Sequence, residues 1–222
     1  MRIGQFTDSF LPIVDGVGRV VYGYANALSS RGHECYVITP ISDAGFRGKY
    51  PFDIVDFYGV TIPEYTQYKM GIPLWDVHYH ERIKSIKFDI VHVHSPFRSG
   101  FEGLRIAKKT KIPVVGTFHS KYYDDFLQVL KVQPLAEAGV KMVADFYEKC
   151  DDVWAVSENS AEALRSYGYK GVIKVMRNGT EIRKPDKKNI SYVKSMYNLD
   201  DVPVILFVGQ MNWKKNIIKV LE

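Results

Sequence analysis

Short apolar runs alternate with segments of helical period along the chain, and this alternation restricts the fold more than any other feature of the sequence. "MRIGQF" reads as a strand, "VGRVVYGYANALSS" repeats apolar residues at helical spacing, and "RGHECYVITP" returns to a strand. Strand, helix and strand in that order make a βαβ unit, whose strands lie parallel. The pattern continues through "PLWDVHYHERIKSI" (helix), "FDIVHVHSP" (a buried strand closed by Pro96), "RSGFEGLRIAKKT" (helix) and "IPVVGTFH" (strand). A long helical region follows from Tyr122 to Cys150, broken near Pro134. Then come "DDVWAVS" (strand), "ENSAEALRSYG" (a helix with a Ser157 cap and a Gly168 stop) and "GVIKVMRNG" (strand). "FRGKYPFDIVDFYGVTIP" reads as loops flanking a strand or hairpin. The sum predicts an α/β fold with a doubly wound, mostly parallel, Rossmann-like sheet.

The character changes at Thr180. From there to Asp201 the chain is polar, Lys-rich and interrupted by Pro185, which predicts a linker with one short helix. "VPVILFVGQ" then reads as another buried strand and "NWKKNIIKVLE" as the opening of a helix. A strand and half a helix cannot bury their own apolar faces. The expected organisation is therefore a domain over 1–179, a linker over 180–201 and the start of a second domain over 202–222.

Charge narrows the partners. Thirty Lys and Arg against 25 Asp and Glu give a net +5, but the cations are scattered. A nucleic-acid protein shows a denser basic stripe, so no nucleic acid is expected to bind; the excess reads first as a solvated basic surface with no partner, the alternatives being anionic small ligands or an anionic membrane surface. Cys35 and Cys150 form no C-x-x-C pair, which argues against a zinc or redox motif and suits a reducing compartment. The sequence shows no signal-peptide pattern after Met1 and no apolar run of the ~20 residues a membrane span needs, so a cytoplasmic protein is expected.

The turn between the first strand and first helix holds Gly16 and Gly18. A nicotinamide site wants G-x-G-x-x-G and an acidic residue at the end of strand two. Here the third position is Val21 and strand two ends "VITP", so that reading is set aside. Glycines at a helix N-terminus let backbone amides approach an anion such as a diphosphate. They also serve a tight turn, and these residues alone leave both readings open. His92 and His94 form an H-x-H whose side chains share one face of a strand. Without a third ligand or adjacent carboxylate they read as buried or cleft-lining residues, and no metal is expected. His78 and His80 point apart on a helix and read as surface residues. After His119, "HSKYYDDFL" offers Lys121, Tyr122, Tyr123, Asp124 and Asp125; the acids either orient an acceptor hydroxyl or complement a helix dipole. The amphipathic "FLQVLKVQPLAEAGVKMVADF", with Lys131 and Lys141, reads as core-facing helices, the alternative being a bilayer contact.

In order and spacing these patches resemble the retaining glycosyltransferases of family 4, which have the GT-B fold. The opening through "CYVIT", then "FDIVHVHSP", "PVVGTFHS", "DDVWAVSENSAEAL", "VIKVMRNGTE" and "FVGQMNWKKNI" each resemble a family segment. The resemblance implies a Rossmann-like N-terminal domain that binds the acceptor and a C-terminal domain that binds a nucleotide-activated sugar. It implies no metal and no cofactor, the sugar nucleotide being a substrate. Gly16 and Gly18 would approach the donor diphosphate, and Arg19 an anionic group of the acceptor. His119 would lie against the transferred sugar. Lys121, Tyr122, Tyr123 and Asp124 would line the acceptor site. Asn178 and Gly179 match the crossing between domains. Lys215 matches a family lysine on the diphosphate, whereas Gln210 stands where an arginine is usual and brings no charge, which leaves a weakened clamp or compensation by Lys214. The family's Glu-x7-Glu pair would lie beyond Glu222, so these 222 residues are expected to be inactive alone. The expected activity is transfer of a hexose, from a UDP-sugar, to an acceptor hydroxyl on a sugar or a membrane glycerolipid, by a protein peripheral to the inner face of the cell membrane. The alternative is a non-catalytic module that binds sugar nucleotide or polysaccharide, toward which Gln210 leans.

Overall fold

The computed structural model describes the chain except for residue 14, residues 41–48 and 64, residues 181, 183, 201 and 210, and residues 212–214; nothing is said of the side chains of residues 65–67. The described residues divide into two units, Met1–Thr180 and Glu181–Glu222.

In the first unit, β1 (Arg2–Phe6), α1 (Gly16–Ser30), β2 (Glu34–Pro40) and β3 (Asp53–Phe57) are followed by an antiparallel hairpin of β4 (Gly59–Ile62) and β5 (Tyr65–Gly71). Then come α2 (Val77–Ser85), β6 (Ile90–Val93), α3 (Arg98–Thr110), β7 (Val114–Phe118), α4 (Tyr123–Leu130), α5 (Gln133–Tyr147), β8 (Asp152–Ala155), α6 (Glu158–Ser166) and β9 (Lys174–Val175). Seven strands form one parallel sheet in the order β3-β2-β1-β6-β7-β8-β9. This is the Rossmann-like α/β architecture. The chain builds outward from β1 to β3, then returns to the other side of β1 at β6. That reversal makes the β1/β6 boundary the switch point, where open α/β sheets bind ligands at the strand C-terminal ends.

Period-two alternation sorts the strand residues. Phe6, Val91, Val93, Val114, Phe118 and Val153 face one side and join a core with α2, α3, α5 and α6. Ile3, Cys35 and Val37 face the other side and pack with Val21 and Ala25 of α1. Local chemistry sets the helix ends. Ser157 caps α6 by accepting from the Ser160 amide at 3.2 Å, and Gly168, at φ +103°, ends the following turn. The expected break near Pro134 falls at Lys131, in the left-handed region at φ 56°, with Pro134 in the first turn of α5. The segment expected as one helix after Pro73 divides instead. A 3-10 turn covers Pro73–Trp75, and Asp76 restarts the chain as α2 by accepting from the Tyr79 amide at 2.9 Å.

The second unit holds α7 (Lys187–Tyr197), capped by Asp186, and the four-residue α8 (Ile218–Leu221). The strand expected over "VPVILFVGQ" is not formed among the described residues. Val204, Ile205, Leu206 and Val208 are 57%, 77%, 82% and 84% exposed. A strand needs neighbouring strands to take its backbone hydrogen bonds and a layer to cover its side chains, and this unit supplies neither.

Candidate active site

The α1-facing side of the sheet turns polar toward the strand C-terminal ends. Parallel register places Gln5 of β1 opposite His92 of β6, and His92 opposite Val115 of β7. Stepping two residues along each strand adds His94, Thr117 and His119 on the same face. The side chains form a chain of contacts: Gln5 Oε1 to His94 Nε2 at 2.6 Å, and His94 Nδ1 to His119 Nε2 at 3.0 Å. Beside it, His92 Nε2 meets Thr117 Oγ1 at 2.7 Å. The Tyr24 ring of α1 and the Trp154 ring of β8 cover His92, both at 5.2 Å between centroids. Burial opposes an imidazolium in this setting. It lowers His92 to about 3, aided by His119, and His119 to about 4; His94 falls well below the ordinary value through burial and then its two histidine neighbours. All three are therefore neutral at physiological pH.

Two aspartates organise the loop after β1. Asp8 is half-buried, accepts from Ser95 Oγ, and takes the Ser99 amide and hydroxyl at 3.0 Å each. It fills the N-terminus of α3 with a carboxylate from the chain itself. Burial raises its pKa, while Ser95, Ser99 and Arg98 pull the other way. Asp15 is the N-cap of α1. One oxygen takes the Gly18 amide at 2.7 Å; the other takes Ser9 Oγ at 2.5 Å and the Tyr68 hydroxyl at 3.2 Å.

These bonds separate the two glycines. The Gly18 amide is already engaged, and a Cβ there would sit 3.1 Å from Asp15 Oδ1 and 3.3 Å from Phe10 Cα, so Gly18 serves close packing. Gly16 is exposed, and a Cβ on it would meet nothing within 4 Å. The open part of this helix N-terminus is thus Gly16 and Val17, whose amides have no partner among the described residues. Arg19 is exposed on the first turn of α1.

Past His119, Lys121, Tyr123 and Asp124 line a cavity of about 580 Å³ with Glu137, Asn159 and Glu162. None of the three histidines lines it. Tyr122 is elsewhere. Its ring, at the N-cap position of α4, is buried in the core against Phe97 and Phe118, at 5.5 and 5.7 Å. The Tyr122 and Tyr123 amides both donate to the Tyr167 hydroxyl, at 2.9 and 3.1 Å. Asn178 and Gly179 are exposed at the end of the first unit, and Lys215 is exposed in the second. Gln210 and Lys214 lie outside the described residues. Among the described residues no group of His, Cys, Asp or Glu is placed to hold a metal ion, and no helix is long and apolar enough to cross a membrane.

Residues 14–184 match the family model of Glycosyltransferase Family 4. The chain belongs to glycosyltransferase family 4. Two relatives carry the name alpha-monoglucosyldiacylglycerol synthase. The Acholeplasma laidlawii protein is 36% identical over 126 residues, covering 56% of this chain and 31% of its own. The Streptococcus pneumoniae protein is 27% identical over 228 residues, covering 100% of this chain and 51% of its own. A GDP-mannose-dependent alpha-mannosyltransferase from Corynebacterium glutamicum is 27% identical over 226 residues, covering 98% and 53%. This family 4 chain thus spans about half the length of the relatives it matches end to end. A solved sucrose-phosphate synthase from Thermosynechococcus elongatus superposes with a TM-score of 0.71 at 18% identity, over 99% of this chain and 58% of that one. The fold is one half of a GT-B glycosyltransferase.

Sequence reading missed three residues that the structure brings to this rim of the sheet: Gln5, Asp8 and Asp15. Each left a signal. Gln5 is a polar residue inside the apolar run "RIGQF", and Asp8 and Asp15 flank the turn ahead of a helix, where aspartate caps backbone amides.

Proposed function

We propose that this chain is the acceptor-side half of a retaining hexosyltransferase, which moves a hexose from a UDP-sugar to the hydroxyl of a membrane glycerolipid. The observation that carries the reading is His119, held neutral by burial at the C-terminal end of β7, on the same rim of the sheet as the open N-terminus of α1. That rim is where such sheets bind ligands. The Gly16 and Val17 amides and the α1 dipole suit the diphosphate, an anion. His119 holds the sugar by hydrogen bonding.

With its pKa lowered to about 4, His119 is a poor base for a hydroxyl proton at neutral pH. Front-face attack needs no such base. The bond from the sugar anomeric carbon to the diphosphate oxygen breaks, the bond to the acceptor oxygen forms on the same face, and the acceptor proton passes to the departing phosphate oxygen. The role of Lys215 on the diphosphate rests on likeness alone. Arg19, Lys121, Tyr123 and Asp124 are the acceptor-side candidates.

Two observations support a lipid acceptor. Two relatives are named for diacylglycerol. The turn between α4 and α5 also exposes Val129, Leu130, Val132 and Leu135 around Lys131, the mixture that settles at an anionic bilayer surface. The test is nucleotide release by the full-length gene product from a panel of UDP- and GDP-sugars, with and without diacylglycerol vesicles, the 222-residue chain serving as the inactive control. Vesicle-dependent UDP release supports the proposal. GDP release replaces the donor, vesicle-independent release replaces the acceptor, and no release from any donor overturns the transferase reading.

A further inference from the structure

We propose that Gln5 and His94 are positioning residues that set the proton on His119, fixing it as the Nε2–H tautomer so that Nδ1 meets the substrate as a hydrogen-bond acceptor. The identity of the substrate rests on the glycosyltransferase reading; the tautomer does not.

The argument follows the chain of contacts outward. Gln5 Oε1 lies 2.6 Å from His94 Nε2. A carbonyl oxygen only accepts, so His94 Nε2 carries the hydrogen. A neutral imidazole has one N–H, which leaves His94 Nδ1 a lone pair. That lone pair lies 3.0 Å from His119 Nε2, which must donate to it. The single proton of His119 therefore points inward. Its Nδ1, with no partner among the described residues, is a bare acceptor.

The surroundings keep each ring in this state. Gln5 and His94 are buried, and the His92 and His119 rings flank His94 at centroid distances of 4.0 and 5.3 Å. Burial holds all three imidazoles neutral, as the lowered pKa values agree. With the opposite Gln5 rotamer its nitrogen would donate to His94, every bond in the chain would reverse, and His119 would present an N–H. One buried amide thus decides whether the rim accepts from a hydroxyl or donates to a carbonyl or carboxylate. With Nδ1 bare, the site selects a substrate that offers an O–H at the contacted position and discriminates against its deoxy or methoxy counterpart.

The test has two readouts. Long-range proton–nitrogen correlation NMR of the full chain with 15N-labelled histidine, at pH 7, reports the tautomer directly. The expected result is Nε2–H for both His94 and His119; Nδ1–H at His119 overturns the proposal. His94→Asn keeps an amide oxygen near the Nδ1 position and should preserve the His119 tautomer. His94→Leu, and independently Gln5→Leu, should release it to a mixture. A pure Nε2–H signal at His119 in both leucine variants overturns the proposal too. In nucleotide release by the full-length enzyme, the leucine variants should lose about 10- to 100-fold in kcat/KM, the scale of one buried hydrogen bond, and His94→Asn should recover most of it. Equal losses in asparagine and leucine variants mean a merely structural role and sink the claim. If the wild-type enzyme transfers no sugar, the function fails while the NMR result still decides the tautomer.

Discussion

Acid should unfold the first unit earlier than its carboxylates alone would predict, because the buried His92 and His94 and the half-buried His119 are all held uncharged. In the unfolded chain each takes a proton near pH 6.5. In the folded chain His119 resists protonation to about 4, His92 to about 3 and His94 well below the ordinary value. These folded pKa values are depressed, so the unfolded state binds more protons between them and pH 6.5. The stability they contribute is whole above pH 6.5 and is lost as pH falls. Each group contributes a slope of about 1.4 kcal/mol per pH unit, and three give about 4. Asp8 acts in the opposite sense. Its pKa is raised above 3.8, so between pH 3.8 and that raised value the folded state holds a proton the unfolded state releases. Where Asp8 titrates, the net slope drops to about 2.7 kcal/mol per pH unit. Between pH 6 and pH 5 the loss is thus about 3–4 kcal/mol, a large share of the 5–15 kcal/mol typical of a domain. Urea unfolding at stepped pH measures it, followed by far-UV circular dichroism and by Trp fluorescence, since Trp154 packs on His92. His92→Asn should flatten the slope by about a third. A stability that is level or rises from pH 6 to pH 5 would refute the reasoning.

Two further predictions concern close backbone approach. Gly100→Ala places a Cβ 1.9 Å from the Ser95 carbonyl oxygen and 2.8 Å from the Phe146 ring, so α3 must lift from the sheet. The expected cost is about 2–3 kcal/mol, read as a lowered thermal midpoint. Gly16→Ala and Gly18→Ala should part company. The Gly16 substitution meets open space and should leave stability within about 1 kcal/mol while raising the donor KM of the full-length enzyme. Gly18→Ala crowds Asp15 and Phe10 and should show first as a loss of stability of about 1 kcal/mol or more.

The sheet was legible because buried parallel strands are continuous apolar runs, and "FDIVHVH", "PVVGTF" and "DDVWAVS" each gave a strand. Ser157 and Gly168 marked the ends of α6 by their own chemistry. "VPVILFVGQ" has the same apolar character and forms no strand among its described residues, because strand formation depends on neighbours and not on the run alone. The histidine chain was half legible. Spacing put His92 and His94 on one face, but their partners arrive through parallel register from elsewhere: Gln5 is 89 residues from His94, and His119 is 25. The glycines gave no sign that Asp15 holds the Gly18 amide and leaves Gly16 open, a distinction set by one side-chain rotamer. Tyr122 and Tyr123 are identical in sequence, and only packing sends one into the core and the other to the cavity.

The central claim is that His119 holds the transferred sugar. Steady-state transfer by full-length His119→Ala, beside the wild type, tests it most directly. The account predicts kcat/KM lower by about 10- to 100-fold, with the thermal midpoint nearly kept because His119 stands at the end of its strand and is only half-buried. Unchanged kcat/KM in a folded variant would contradict it.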